Sequence, residues 1–412
     1  MNVLIINTSD KNGGAAIAAY RLLNALNSSG INAKMIVNDK LSNDKDVLEI
    51  GNKHLNKFNF YHERGEIFLY NGLSPNNLFE VSTAKKGVSI TETEEFKQAD
   101  VIHLHWINQG MLSLSEVKKI LSSDKKVVWT MHDMWPFTGI CHYAGNCNNY
   151  TNGCGNCPLL RYPSKNDISR NTFRKKSYSY SKGEINFVAC SNWLKGMASK
   201  SPLTVGHHVI SIPNPIDTDI YRPLDKREIR NKLNLPVDKK IILFAAVKAS
   251  DKRKGLDYLV EASNILKNYS DKIICIIAGK QNKEIENKFN LPFKSMGYVS
   301  YEEMPLLYNA ADLFVSPSLQ DNLPNTIMES MSCGTSCVGF NTGGIPQMID
   351  HQINGYVSEY QNSKDLANGI LWSLFNTDTI QLGANARKKV IENYSNEIVA
   401  QQYIEIYKNA RG

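Results

Sequence analysis

Apolar residues along this chain gather in short unbroken runs, with little strict alternation. Val3 to Asn7, Met35 to Asn38, Val101 to Leu104, Val127 to Met131, Asn186 to Cys190 and Val209 to Ile212 form one series. Ile241 to Ala246, Ile273 to Ala278, Leu313 to Val315 and Ser336 to Phe340 form a second. Runs of this kind, closed by polar residues or glycine, predict strands buried on both faces, as in parallel sheets covered by helices. Between them the pattern predicts helices over Ala15 to Leu26 and Tyr301 to Ala311, from Ser363 and from Ile380, and over Asn396 to Ala410. Strands alternating with helices predict an α/β fold of doubly wound sheets. Pro213 and Pro215 around Asn214 predict an extended linker, and 412 residues suffice for two domains, 1–215 and 216–393, with a last segment 394–412. Leu41 to Lys97 mixes polar turns with short apolar pieces and predicts no clear element.

The polar residues that close the strands carry the chemistry, because open α/β sheets bind ligands at strand carboxyl ends. Val3 to Asn7 leads through Gly13-Gly14 into a helix, a strand–turn–helix arrangement whose free N–H groups suit an anion. One strand ends in His105 and Trp106, another in His132 and Asp133. Lys248, Lys252, Arg253 and Lys254 precede Gly255 and a helix from Leu256, placed for a diphosphate. After Leu313 to Val315 come the turn formers Gln320, Asp321 and Asn322. Pro324 then stands where a first helical residue is favoured, and Cys333-Gly334 ends that helix. Asp321 and Glu329, with seven residues between them, punctuate this unit.

This unit resembles the family 4 retaining glycosyltransferases, whose signature is two glutamates separated by seven residues in a strand–loop–helix. Asp321 departs from it at the first position. The likeness runs from about Pro213 to Asn393, and more loosely through Gly13-Gly14, His132-Asp133 and Asn214-Pro215. The string from His132 to Gly139, followed by cysteines, looks like the branch that builds bacterial capsule, colanic acid and O-antigen. The resemblance implies the GT-B arrangement: two Rossmann-like domains facing across a cleft, the last helix returning to the first. It implies Glu329 on the nucleotide ribose, Asp321 beside the donor sugar, and Asn322, Leu323, Asn325 and Thr326 around the donor. Lys254, with Arg253 or Lys248, would take the phosphates, Gly13 and Gly14 the diphosphate and sugar, Tyr298 the base, and His132 a sugar hydroxyl. His105 and Trp106 fall to the acceptor side.

The implied reaction transfers a sugar, with retention, from a nucleoside diphosphate to a hydroxyl of a growing, polyprenyl-diphosphate-linked surface oligosaccharide. No Asp-x-Asp accompanies the cations, so catalysis is expected to need no metal cofactor. A nucleotide-sugar epimerase of similar fold and a non-catalytic nucleotide-sugar-binding assembly protein are the alternatives. Separately, Cys141, Cys147, Cys154 and Cys157 lie in a C-x5-C-x6-C-x2-C pattern within an insertion near 141–158. Four thiolates so spaced suit a structural zinc ion, in which His142 could replace one sulfur; disulfides and free thiols are the other readings.

Composition adds limits. With 42% apolar and 21% charged residues the chain reads as soluble and globular. The apolar run at Met1 to Asn7 is too brief for a secretory signal or a spanning helix, which predicts a cytoplasmic protein. The net charge of +7 suits an anionic ligand or an acidic membrane surface. No compact basic run interleaved with aromatics marks nucleic acid. The basic, tyrosine-bearing run Arg161 to Lys182 reads either as a solvated helix face or as a contact with acidic headgroups of the inner membrane.

Overall fold

The structure, a computed structural model, describes residues 1–248, 251–280 and 288–410, the side chains of 247 and 248 apart. Two compact units are present. Met1–Pro215 and the chain from Glu397 onward form the first, Ile216–Asn396 the second.

The first unit runs β1 (Asn2–Ile6), α1 (Gly14–Ser28), β2 (Asn32–Val37), β3 (Val47–Glu49), α2 (Lys53–Tyr70), α3 (Glu94–Gln98), β4 (Val101–Leu104), α4 (Leu114–Leu121), β5 (Lys126–Met131), α5 (Ile168–Tyr180), β6 (Asn186–Ala189), α6 (Asn192–Ala198) and β7 (His208–Ser211). The second runs α7 (Lys226–Lys232), β8 (Lys240–Lys248), α8 (Leu256–Leu266), β9 (Ile273–Lys280), β10 (Phe293–Gly297), α9 (Met304–Ala310), β11 (Leu313–Ser316), α10 (Asn325–Ser332), β12 (Cys337–Phe340), α11 (Ile345–Met348), β13 (Gly355–Ser358), α12 (Ser363–Phe375) and α13 (Thr379–Tyr394). α14 (Asn396–Asn409) follows and packs into the first unit.

Every pair of these strands is parallel. The seven-stranded sheet has the order β3-β2-β1-β4-β5-β6-β7, and the six-stranded sheet the order β10-β9-β8-β11-β12-β13. These are the two doubly wound sheets expected from the apolar runs.

Strand geometry explains why the runs are continuous. Successive side chains point to opposite faces, so Leu4 and Ile6 enter one core while Val3 and Ile5 enter another on the far side of the same sheet. Both faces are covered and neither can be polar. α1 and α14 cover the second face together: Val399, Tyr403 and Ile404 join Leu22, Leu26 and Val101. Burial of those three α14 side chains is worth roughly 5 kcal/mol. Two hydrogen bonds add direction, Tyr407 to His103 Nδ1 at 2.7 Å and Tyr403 to Thr130 at 2.8 Å.

Candidate functional site

Each sheet has one point where strand order reverses, between β1 and β4 in the first unit and between β8 and β11 in the second. Loops leaving the two strands there diverge to opposite faces and open a crevice at the carboxyl ends. In the second unit these are the loops at 251–255 and 317–324. They touch: the Leu319 N–H donates to the Arg253 carbonyl at 2.8 Å, and Arg253 Nη1 donates to the Gln320 carbonyl at 2.9 Å. The approach depends on Gly255, whose φ is +71° and where an added Cβ would stand 1.8 Å from the Pro317 carbonyl oxygen.

The contact brings the expected phosphate ligands onto an acid. Lys254 Nζ stands 2.5 Å from Asp321 Oδ2, and Arg253 Nη1 3.8 Å from the same oxygen. Burial works to raise the Asp321 carboxyl, but the Lys254 and Arg253 charges and the Asn322 N–H hold it below its usual range. Asp321, Asn322 and Leu323 are buried, Asn325 and Thr326 half-buried at the start of α10. Pro324 is the residue before the helix, with ψ of 114°, rather than its first residue. Glu329 is buried one turn further on and accepts from the Tyr308 hydroxyl at 2.8 Å. Tyr298 lies just beyond β10 and is exposed. Lys248 closes β8, opposite Lys280 of β9, and its side chain lies outside the described residues.

In the first unit the loop after β1 is fastened to the one after β4. Asn7 Oδ1 accepts from Trp106 N at 2.8 Å, and Thr8 donates through N and Oγ1 to the Trp106 carbonyl. Gly13, with φ of +96°, precedes α1 without a side-chain cap, and the space around its Cα is open. His105 and His132 end β4 and β5 and meet through Nδ1 and Nε2 at 2.9 Å. His132 Nδ1 faces Cys190 Sγ at 3.7 Å, and that thiol donates to Asn214 Oδ1 at 3.1 Å. One tautomer set satisfies this row: His105 donates to His132, and His132 to the sulfur. Burial pushes the imidazoles down, His132 to about 4 against the pull of Asp133, His103 to about 3, and His105 well below its ordinary value. All three are neutral at physiological pH.

Sequence reasoning missed a second network beside it. Asp133 Oδ2 accepts from Trp106 Nε1 at 2.8 Å and His142 Nδ1 at 2.7 Å, and His142 Nε2 lies 3.1 Å from Ser82 Oγ. Burial opposes ionisation of Asp133, yet His142, the Trp135 N–H and the Trp106 indole keep its carboxyl below the usual range. The order Ser–His–Asp is that of a hydrolytic triad, but Ser82 is fully buried and Arg64 donates to its oxygen at 3.4 Å. The network pins the 80–84 segment against the β5 end. Asp133 was legible as a strand-end acid; Ser82 lies in the stretch that predicted no element.

The cysteine reading needs correction. Cys141, Cys147, Cys154 and Cys157 line one hollow of about 20 Å³, room for about one water. Yet among the described residues no three or more His, Cys, Asp or Glu side chains stand in metal-holding geometry. The sulfurs have protein neighbours around that hollow. Cys157 is buried with Ile67, Val81 and Leu160, Cys154 packs on the main core and accepts from Gly139 N, and Cys147 accepts from Asn149 N. They fill space as small, soft apolar groups. Burial pushes the Cys141 and Cys157 thiols up to about 12 and Cys154 up to about 11. His142 is bound to Asp133 and Ser82. The basic run is also not one surface: Lys176 is fully buried over the Trp135 ring at 3.4 Å and donates to the Trp135 and Thr138 carbonyls.

With these loops placed, the comparison with known proteins is direct. Residues 225–395, nearly the whole second unit, match the family of glycosyl transferases group 1. The second unit is a group 1 glycosyltransferase domain. Around it, the chain is 25% identical over 360 residues to an uncharacterized glycosyltransferase of Methanocaldococcus jannaschii, covering 81% of this chain and 90% of that protein. It is 30% identical over 196 residues to the N,N'-diacetylbacillosaminyl-diphospho-undecaprenol alpha-1,3-N-acetylgalactosaminyltransferase of Campylobacter jejuni, covering 46% of this chain and half of that enzyme. It is 21% identical to the putative colanic acid biosynthesis glycosyl transferase WcaC of Escherichia coli over 75% of each chain. Two solved structures share the fold of this chain. Sucrose-phosphate synthase of Thermosynechococcus elongatus has a TM-score of 0.68 at 16% identity, covering 99% of this chain and 98% of that one. Anabaena HepE, solved with UDP and glucose, has 0.67 at 16%, covering 99% and 100%. The group 1 domain, its relatives and the paired parallel sheets of these GT-B proteins agree with the family and fold expected from the sequence.

Proposed function

We propose that this chain transfers a sugar, with retention and without a catalytic metal, from a nucleoside diphosphate to a lipid-carried oligosaccharide in bacterial surface polysaccharide assembly. The observation that carries the reading is the convergence of Lys254 and Arg253 on Asp321 at the switch point of the second unit. Breaking a sugar–phosphate bond leaves a diphosphate that gains negative charge while the ring becomes cation-like. Cations already gathered at a helix amino end stabilise that leaving group without reorganising. A donor diphosphate replaces Asp321 as the partner of Lys254, and the released carboxylate turns to the ring. Glu329, held by Tyr308, takes the ribose. Neutral His132 offers a sugar hydroxyl a hydrogen bond without proton transfer, since burial keeps it near 4, and that hydroxyl takes the place of the Cys190 sulfur at Nδ1. The departing phosphate oxygen takes the acceptor proton on the same face, which retains the anomeric configuration.

The acceptor reading draws on the relatives: the Campylobacter enzyme is named for a diphospho-undecaprenol acceptor and the Escherichia one for colanic acid. Peripheral residence at the membrane follows from such an acceptor. The test is calorimetric titration of the purified chain with UDP, GDP, ADP and their sugars. One nucleotide should bind, and Lys254→Ala should weaken it by about tenfold to a hundredfold, the worth of a hydrogen bond to a charged group. Absence of any nucleotide binding, or an unchanged Lys254→Ala, refutes the donor site. Conversion of the donor alone to an isomer would identify an epimerase instead.

A further inference from the structure

Helix α2 is built inside out. It begins with Asn52 capping Leu55 N at 2.7 Å and runs for 18 residues, long enough to show a clear preference of face. A helix on a soluble domain turns its apolar stripe to the core. Here Glu63 and Arg64 are buried, whereas Phe58, Tyr61 and Leu69 are 58%, 67% and 68% exposed. At a hundred degrees per residue Phe58, Tyr61 and Leu69 share one face and Glu63 lies on the opposite one. The inward carboxylate is well used: Glu63 accepts from Thr83 N and Ala84 N at 2.8 Å and from Arg64 at 2.7 Å. Glu66 is likewise tied, to Lys85 at 2.9 Å and to Thr83 at 2.9 Å. Leu73, just past the helix, is exposed as well, while exposed Phe79 lies on the flank of Phe60 and Arg64, 6.4 Å from the Phe60 ring.

Cations border this face. Lys57 is exposed on α2 itself, and Arg161 is exposed beside Gly72, to whose carbonyl it donates at 3.3 Å. On the other flank a hollow of about 490 Å³ lies between α2 and α5, lined by the paired Glu66 and Lys85, by Tyr70 and by the exposed, cationic Lys175. Glu80 is an exposed acid near Phe79. Among the described residues no helix is long and apolar enough to cross a membrane. Exposed aromatic and aliphatic side chains along one helix face, bordered by cations and with the acids turned inward, match an interfacial helix that lies in an anionic lipid surface.

We propose that the outer face of α2, with the turn that follows it, seats the first unit on an anionic membrane surface. The proposal deepens the reading of a lipid-carried acceptor and rests on it for its purpose, but its test does not involve transfer. The purified full chain is floated with phosphatidylcholine vesicles with and without phosphatidylglycerol, and nucleotide binding is measured on the same samples. The chain should float with the anionic vesicles and be released by salt. Phe58→Ser with Leu69→Ser should weaken flotation by about tenfold or more, from lost burial of two large apolar side chains, and Lys57→Glu with Lys175→Glu several-fold. Both variants should keep the unfolding midpoint and the nucleotide affinity of the parent, since they touch neither the core nor the strand-end loops. No flotation of the parent, or equal flotation of the Ser variant, overturns the proposal. So does a dimer of the parent that the Ser variant abolishes without altering flotation, which would make the face a protein interface. Loss of nucleotide binding with flotation intact would count against the donor site alone.

Discussion

Replacing Asp321 by Asn and Lys254 by Met, singly and together, tests how the second unit stores charge at its ligand edge. Asp321 Oδ2 is 2.5 Å from Lys254 and 3.8 Å from Arg253, with the acid side chain 11% exposed and Lys254 25%. Removing one partner of a fully buried pair costs about 3–5 kcal/mol. Lys254 is open enough to find water when its partner goes, so Asp321→Asn should cost about 1–2 kcal/mol. Lys254→Met leaves a buried carboxylate facing only the more distant Arg253, and should cost about 2–3 kcal/mol. The double variant should fall short of the sum by about 1–2 kcal/mol, the coupling expected of groups in contact. For a unit of this size each kcal/mol shifts the midpoint by about 2–4 °C, so thermal unfolding resolves all three.

Acid adds a signature. The folded carboxyl lies below its ordinary value of about 4, so its contribution is complete above that pH and is lost as pH falls through the lower folded value. The difference between parent and Asp321→Asn should vanish in that acidic window. Nucleotide affinity should move in opposite directions, weaker in Lys254→Met and equal or tighter in Asp321→Asn, whose lysine is released. Additive single effects, or equal losses of nucleotide affinity in both, would refute the stored-charge argument.

Two further outcomes follow from the same edges. His103, His105 and His132 are held neutral by burial, with folded values of about 3 for His103 and about 4 for His132, so the unfolded chain binds more protons below about pH 6.5. Stability of the first unit should be level above that pH and fall on acidification by up to about 1.4 kcal/mol per pH unit for each histidine. Urea unfolding at a series of pH values should show it, with a shallower slope in His132→Gln; a flat profile would contradict burial as the cause. Gly255→Ala puts a Cβ 1.8 Å from the Pro317 carbonyl at a φ of +71°, so the 251–255 and 317–324 loops must part. We expect a loss of about 2–4 kcal/mol in unfolding free energy together with weaker nucleotide binding, and a stable, normally binding variant would show that the two loops need not touch.

The legible parts of the molecule were those where one physical requirement acts alone. A strand covered on both faces must be apolar at every position, so Val3 to Ile6 or Leu313 to Val315 announce themselves, and glycine at Gly13 or Gly255 marks the turn that follows. The ligand edges were legible for the same reason, since polar residues directly after such runs have few other reasons to be there. Helix α2 was not legible, because its pattern is reversed: Glu63 is held inside by the backbone N–H groups of Thr83 and Ala84, and Arg64 donates to the Leu78 carbonyl, which no local spacing reveals. Ser82 escaped for a similar reason, since its partner His142 is remote in sequence, although His142 itself is only 9 residues from Asp133.

 Ser82 meets His142 across 60 residues of sequence, and only the folded chain puts them side by side. The four cysteines show the converse, a spacing that suits a metal around one small hollow where, among the described residues, no metal-holding geometry forms.

The place of α14 bears on how the chain is made. A ribosome releases residues in order, so the β-strands of the first unit emerge early, yet one face of their sheet is completed by Val399, Tyr403 and Tyr407. Until those residues appear, Val3, Ile5 and Val101 have part of their cover missing, and His103 lacks the hydroxyl that satisfies Nδ1. The second unit, whose residues form one continuous stretch from Ile216 to Asn396, has no such wait. During synthesis the order of completion is therefore the reverse of the order of translation, with the later unit able to close first and the earlier one held open until the final helix docks.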